Sequence, residues 1–286
     1  MNTIIVTTES CSDFPAELKR ELGIQTVPLH IHFPEENVFD GSIPVEKIYE
    51  FYRKTKNIPK SSAVNPTEFE EFFRRVSREN DNAEIIHIAY TSKCSCTYQN
   101  AVLAAKECGG KVHVVDSLNV SGGIGTVTLI AAYLAKKYPE KSAEELVREI
   151  EGYSKRIVMW FVPDQLGFLA AGGRVSNRQA LGASVLKLKP RIDILDGELL
   201  AAKKYRGSMS RVSEKMVKEF VETNDLMPDL VQVLYSKGAE AEILDSMENG
   251  LREAGFSRIL QTEIGCLMSM HSGPGAVGLV GIRKEA

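Results

Sequence analysis

Apolar and polar positions fall into alternating blocks along the first half of this chain. Ile4-Ile5-Val6, Ile85-Ile86-His87-Ile88 and Val112 to Val115 are short apolar runs of the length expected for buried strands. Each is followed by a polar loop. Helical stretches are predicted over Pro15 to Leu22, Pro44 to Lys56, Pro66 to Glu79 and Thr97 to Glu107. Those at Pro44 and Pro66 open on proline, where its missing donor is harmless. Ile24 to Phe33 alternates as a further strand, and two long helices are expected between a glycine-rich loop at Ser121 to Gly125 and about Tyr153. Strand, loop and helix repeated in this way predict a parallel sheet covered on both faces.

The second half has a different rhythm. Ile192 to Leu195 and Glu198 to Leu200 flank Asp196-Gly197, a strong signal for a tight hairpin. A helix over Ser208 to Glu222, a strand over Leu230 to Tyr235 and a helix over Ala239 to Ala254 follow. Strands near Ser257 to Thr262 and Ala276 to Ile282 complete a mixed sheet. The expected architecture is α/β in two domains. Residues 1–155 form a three-layer α/β/α unit with a parallel sheet, and residues 156–286 form a two-layer α/β unit with a mixed sheet. No internal repeat and no low-complexity segment interrupts this pattern.

With 286 residues, 43% hydrophobic and 26% charged, the chain has ample material for a globular core. A formal charge of −3 leaves no electrostatic footprint for nucleic acid. No apolar stretch is long enough for stable membrane insertion. Five cysteines and an N-terminus without a signal-peptide pattern predict a cytoplasmic protein rather than a disulfide-stapled one.

Candidate chemistry lies in loops that follow strand ends, where parallel α/β sheets place their ligands. These are Thr7 to Ser12, Thr91 to Thr97 and Asp116 to Asn119, joined by Lys60-Ser61-Ser62 between two helices. Such a site is rich in hydroxyls and poor in charge. Hydroxyl donors suit a carboxylate or phosphate, helped by the positive end of the helix that starts at Thr97. The same serines and threonines can serve as simple helix caps. His271-Ser272-Gly273-Pro274-Gly275 fixes an abrupt turn before a buried strand and places a histidine beside the sheet. Standard catalytic signatures are missing. Gly123-Ile124-Gly125 lacks the rest of a dinucleotide fingerprint, and there is no Walker lysine or nucleophile elbow. Cys94-Ser95-Cys96 is too small a cluster to read as a metal site, and His30 and His32, on one strand face, lack further ligands in sequence. No metal or cofactor is expected.

In this order the segments resemble the DegV family, which includes fatty-acid-binding subunits of bacterial fatty acid kinase systems. The resemblance runs through Glu9 to Pro15, Val27-Pro28-Leu29, Asp40-Gly41, Pro59 to Ser62, Thr91 to Ala101, Val114 to Ser117, Ala171 to Ser176, the Lys189 to Gly197 hairpin leading to Arg206, and the final His271 to Gly275. It implies one long-chain fatty acid, such as palmitate, stearate or oleate, in a tunnel between the two domains. It also implies a carboxylate held by Ser61 or Ser62, by Ser95 and by His271. Arg206 falls at the position of contact with a partner kinase, which would make the acyl phosphate for phospholipid metabolism. Arg174 and Ser117 lie in family motifs, with a pocket role or a structural one. This is a carrier's arrangement, with the activity residing in the kinase's catalytic subunit. Departures are Glu9 for a shorter aspartate, Cys94 and Cys96 for leucine and glycine around Ser95, and Ser61 to Val64 for a threonine-containing segment. If the glycine position demands positive φ, Cys96 changes the head-group loop. Two readings stand beside this one. One is an enzyme with Ser95 or a cysteine as nucleophile and His271 as base on a small acyl or phosphorylated substrate. The other is a carrier for a different amphiphile.

Overall fold

The protein's structure is a computed structural model that describes residues 4–176 and 188–285. The N-terminal part runs β1 (Ile4–Glu9), α1 (Ala16–Glu21), β2 (Gln25–Val27), β3 (His30–His32), β4 (Asn37–Phe39), α2 (Val45–Thr55), β5 (Lys60–Ser62), α3 (Pro66–Glu79), β6 (Glu84–Ala89), α4 (Thr97–Glu107), β7 (Val112–Asp116), α5 (Ser121–Lys137) and α6 (Ala143–Ser154). The C-terminal part continues with β8 (Ile157–Val162), α7 (Leu166–Gly172), β9 (Leu188–Leu195), β10 (Glu198–Arg206), α8 (Met209–Thr223), β11 (Leu226–Tyr235), α9 (Ala241–Glu253), β12 (Ile259–Glu263), α10 (Cys266–Ser272) and β13 (Val277–Arg283).

A four-stranded parallel sheet in the order β2-β1-β6-β7 carries the N-terminal part. Helices α3 with α4, and α5 with α6, pack against it as pairs. Five of the six β6 residues are consequently buried, as a strand covered on both faces requires. The C-terminal sheet has the order β10-β9-β8-β13-β11-β12, and only its β11–β12 pair is parallel. Sequence periodicity thus anticipates the parallel and mixed sheets. It misses β4, β8, α7 and α10.

Three local expectations change. Ile24 to Phe33 is two strands, because Pro28 interrupts it: β2 joins the parallel sheet and β3 joins a small antiparallel sheet β4-β3-β5. Lys60 to Ser62, expected as a loop, is one of the two edge strands of that small sheet. Ser121 to Gly125 is the first turn of α5 rather than a loop. Its glycines are there for close packing. A Cβ on Gly122 would stand 2.5 Å from Leu234, and one on Gly125 would stand 2.2 Å from the Asp13 carbonyl oxygen.

That approach lets α5 lie between the two large sheets, against β1 and β6 on one side and β8 and β13 on the other. It is apolar around most of its circumference, as a helix buried on all sides must be. One hydrophobic core accordingly runs from the parallel sheet through α5 into β8, β9 and α10, while a second lies under α8 and α9 in the C-terminal part alone.

Candidate functional site

The β9–β10 hairpin brings the two parts together at the site. Asp196 and Gly197 both have positive φ (49° and 85°), the type I′ geometry expected of Asp-Gly. The turn docks on the loop after β6: the Gly197 carbonyl accepts from Thr91 Oγ1 at 3.0 Å and from the Cys94 thiol at 3.5 Å. On the other side, Val175 bridges to Leu199 and the Ser176 N–H donates to the Leu199 carbonyl. The loop bearing Ser95 and the segment bearing Arg174 are thus tied to one hairpin.

Beneath this hairpin lies a polar vestibule lined by Ser61, Ser62, Cys94, Ser95, Cys96, Arg174 and His271, with Tyr90 at its side. The N-terminus of α4, whose positive dipole end favours an anion, begins one residue beyond Cys96 and adjoins this space. Ser95 Oγ accepts from the Thr97 N–H at 3.2 Å and lies 2.7 Å from Thr97 Oγ1, and no imidazole among the described residues is bonded to it. Cys96 has φ −79°, so this position tolerates a side chain and the loop closes without a glycine. Burial pushes the Cys94 thiol upward, away from the thiolate that a nucleophile needs.

Strand parity separates Ser61 from Ser62. In the β3–β5 ladder Ser61 faces Ile31, which is fully buried, whereas Ser62 faces His30 on the outer side. The Ser62 hydroxyl is bonded to His32 Nε2 at 2.7 Å. Ser61 has no such partner among the described residues and is the free hydroxyl of the pair. His30 and His32 do share a face, as expected, but His30 bonds Glu68 and His32 bonds Asn37 and Ser62. Among the described residues no three His, Cys, Asp or Glu side chains gather as metal ligands would.

His271 sits in the last turn of α10, ahead of Gly273 and Gly275, both at positive φ (73° and 75°). Its Nδ1 is buried without a hydrogen-bond partner among the described residues, packed so closely on Gly172 that a Cβ there would stand 2.4 Å away. Burial first, and the Arg174 cation second, push its pKa down to about 4, so the ring is neutral at pH 7. An unpartnered lone pair is cheaper to bury than an unpartnered N–H, which favours the tautomer with the proton on Nε2. Arg174 donates to the Gly172 carbonyl and has no ion-pair partner among the described residues.

Behind the vestibule a second, narrow cavity, with about 60 Å³ open to the centre of a water-sized sphere, runs between α5, α10 and the mixed sheet. Its walls are mainly apolar, including Val120, Met159, Leu234, Met268 and Val277. Tyr90, Arg174 and His271 line both spaces and form the junction between them. Sequence reasoning left Arg174 undecided and omitted Tyr90, although its place at the end of β6 before a polar loop was a usable signal.

Two expected residues stand elsewhere. Ser117 is fully buried and lines neither space; its hydroxyl accepts from the Asn119 N–H at 3.2 Å and closes a turn. Arg206 is exposed at the end of β10, nine strand residues and so roughly 30 Å along the strand from the hairpin turn that docks beside the vestibule. Glu9 also turns away: it accepts the Tyr90 N–H at 2.9 Å and approaches His87 Nε2 at 3.4 Å.

Fold and site together define an α/β protein whose pocket has a cationic, hydroxyl-lined mouth and an apolar interior. A family model described as "Uncharacterised protein, DegV family" matches residues 3–284, and the chain belongs to that family. A DegV domain-containing protein of Caldanaerobacter subterraneus subsp. tengcongensis is 32% identical over 284 residues, 98% of each chain. A fatty acid-binding protein of Thermotoga maritima is 25% identical over 280 residues, 96% of this chain and 95% of its own. The solved structure of a fatty-acid-binding DegV family protein from Thermus thermophilus superposes with a TM-score of 0.86 at 27% identity, over 99% of this chain and 100% of its own. Among the described residues no helix is long and apolar enough to cross a membrane.

Proposed function

We propose that this chain binds one long-chain fatty acid, carboxylate in the vestibule and tail in the apolar cavity. The observation that carries the reading is the junction: Tyr90, Arg174 and His271 belong to both spaces, so one amphiphile can fill both at once. Residues 1–155 act as the unit that carries the hydroxyl-bearing head-group loops, and residues 156–286 as the unit that closes the tunnel. Ser61, Ser95 and neutral His271, through Nε2–H, donate to the carboxylate, and Arg174 supplies the opposite charge. Burying an unpaired carboxylate costs several kcal/mol, whereas each charge-assisted bond contributes about 1.5–3 kcal/mol. A sixteen-carbon tail adds roughly 10 kcal/mol before binding costs.

The role is that of a carrier. The vestibule reaches solvent at Ser62 and Cys96, so a partner kinase can approach the carboxylate from outside and phosphorylate it at the expense of ATP. Arg206 lies in the partner's footprint, distant from the chemistry. Native mass spectrometry, followed by organic extraction, tests the binding step. A stoichiometric fatty acid in the purified protein, or uptake of added palmitate or oleate at one per chain, is expected; an empty protein that takes up neither overturns the reading. For the partner step, Arg206→Ala is expected to weaken kinase-dependent turnover while leaving fatty acid binding intact.

A further inference from the structure

Helix α10, which carries His271, has seven residues and a glycine, Gly265, at its N-cap. It has no side-chain cap of its own, and so short a helix is unstable alone. Its N-terminal donors are instead taken up by two carboxylates from the other end of the chain. Asp13 Oδ1 accepts the Gly265 N–H at 2.8 Å across 252 residues, and Asp40 Oδ1 accepts the Leu267 N–H at 2.9 Å across 227. We propose that Asp13 and Asp40 are positioning residues: by capping α10 they hold His271 at the junction, and the carboxylate selectivity of the site depends on them. The inference rests on the reading of His271 as a head-group ligand.

Each carboxylate uses its second oxygen to tie the helix to a wall of the site. Asp13 Oδ2 accepts from Ser121 Oγ at 2.5 Å, and Ser121 lines the apolar cavity. Ser121 has positive φ (49°), a conformation a non-glycine residue keeps only where its surroundings fix it. Asp40 Oδ2 accepts from Ser10 Oγ at 2.7 Å, and Ser10 Oγ accepts in turn from the N–H of Leu29, which lines the vestibule together with Leu267. A third tether is the Cys266 thiol on the Ile43 carbonyl at 3.0 Å.

A cap needed only for stability could be an exposed serine or aspartate at position 265 itself. Here two carboxylates are buried, 6% and 8% exposed, and burial pushes Asp13 up to about 7. That arrangement is costly. It is spent on the helix whose far end, about 9 Å along the axis, places the imidazole. Because the caps come from the N-terminal part and the helix from the C-terminal part, the same bonds also set His271 against Ser61 and Ser95.

The experiment compares binding of palmitate with binding of hexadecanol, which has the same tail and no carboxylate. Asp13→Ala, Asp40→Ala and His271→Ala are each expected to lower the palmitate-to-hexadecanol affinity ratio by about tenfold, the equivalent of one charge-assisted bond, with hexadecanol affinity little changed. Asp13→Asn and Asp40→Asn keep an acceptor for the helix N–H and are expected to recover most of the ratio; they also carry the test if the alanine variants do not fold. Parallel loss of both ligands in the aspartate variants would mark a structural role only and overturn the proposal. An unchanged ratio in the aspartate variants, with a lowered one in His271→Ala, overturns it too. An unchanged ratio in His271→Ala overturns the head-group reading itself.

Discussion

The vestibule and the apolar cavity share three residues, yet they are built in different ways. The vestibule takes Ser61, Ser95 and the α4 N-terminus from loops and edge strands of the N-terminal part, each fixed by a hydrogen bond or by ladder register. The cavity takes its walls from α5, α10, β8, β11 and β13, elements buried by the general demand for a core. Polar groups need directed bonds and are placed one by one. Apolar walls need only volume and shape, which many residues supply together. The head group is therefore the part of the ligand that single substitutions can address, and the tail is the part that bulk addresses.

Filling the cavity should give the largest effect. Ala276→Phe sets a ring among the tail-contacting walls and is expected to weaken palmitate and hexadecanol alike by at least about a hundredfold, measured by displacement of a fluorescent fatty acid. Binding of both ligands unchanged from the parent would show that the tail lies elsewhere.

Gly172→Ala acts on the junction. A Cβ 2.4 Å from His271 Nδ1 must push the ring out of place, and a loss of about tenfold or more for palmitate is expected, with hexadecanol much less affected. The comparison of the two serines is finer. Ser61→Ala should cost palmitate roughly tenfold and Ser62→Ala less than about twofold, because the Ser62 hydroxyl already serves His32. The reverse order would refute the strand-parity assignment.

In the parent's own pH dependence of stability two slopes oppose each other, so there the net signal is the smallest, and single variants separate the two. His271 titrates near 4 when folded and near 6.5 when unfolded, so the unfolded chain takes up its proton first and stability falls as pH drops through that window. Asp13 titrates near 7 when folded and near 3.8 when unfolded, so its contribution falls as pH rises from about 4 to 7. Relative to the parent, His271→Ala should gain stability as pH is lowered from 6.5 to 4, and Asp13→Asn should gain it as pH is raised from 4 to 7. Each slope is at most about 1.4 kcal/mol per pH unit, read from denaturant melts. A variant whose difference from the parent is flat would remove the corresponding group from this account.

Much of the fold was legible in advance because strands and helices of this kind carry their own period. Helix α4 begins at Thr97 and α3 ends at Glu79 where the pattern places them, and Asp196-Gly197 turns as its residues demand. Helices α7 and α10 were not legible: each has seven residues, too few to display a 3.6-residue period, and α10 is buried on nearly every side. Ser121 to Gly125 read as a loop because glycine is rare within helices, and only the approach of Asp13 and Leu234 explains its use.

For the site, the residue types were determined by the chain itself: a hydroxyl-rich set of loops, a histidine before a rigid turn, and an Asp-Gly hairpin. Their selection was decided only in three dimensions. Ser61 differs from Ser62 through a ladder partner thirty residues away, and Ser117 leaves the site through its own turn. Arg174 enters the site because the hairpin carries its segment to His271, and α10 stands where it does because carboxylates more than two hundred residues distant accept its N–H groups. Local sequence encodes periods and turns, which act between neighbours. A binding site is made of distances between strangers, and those exist only once the sheets have paired and α5 has been buried between them.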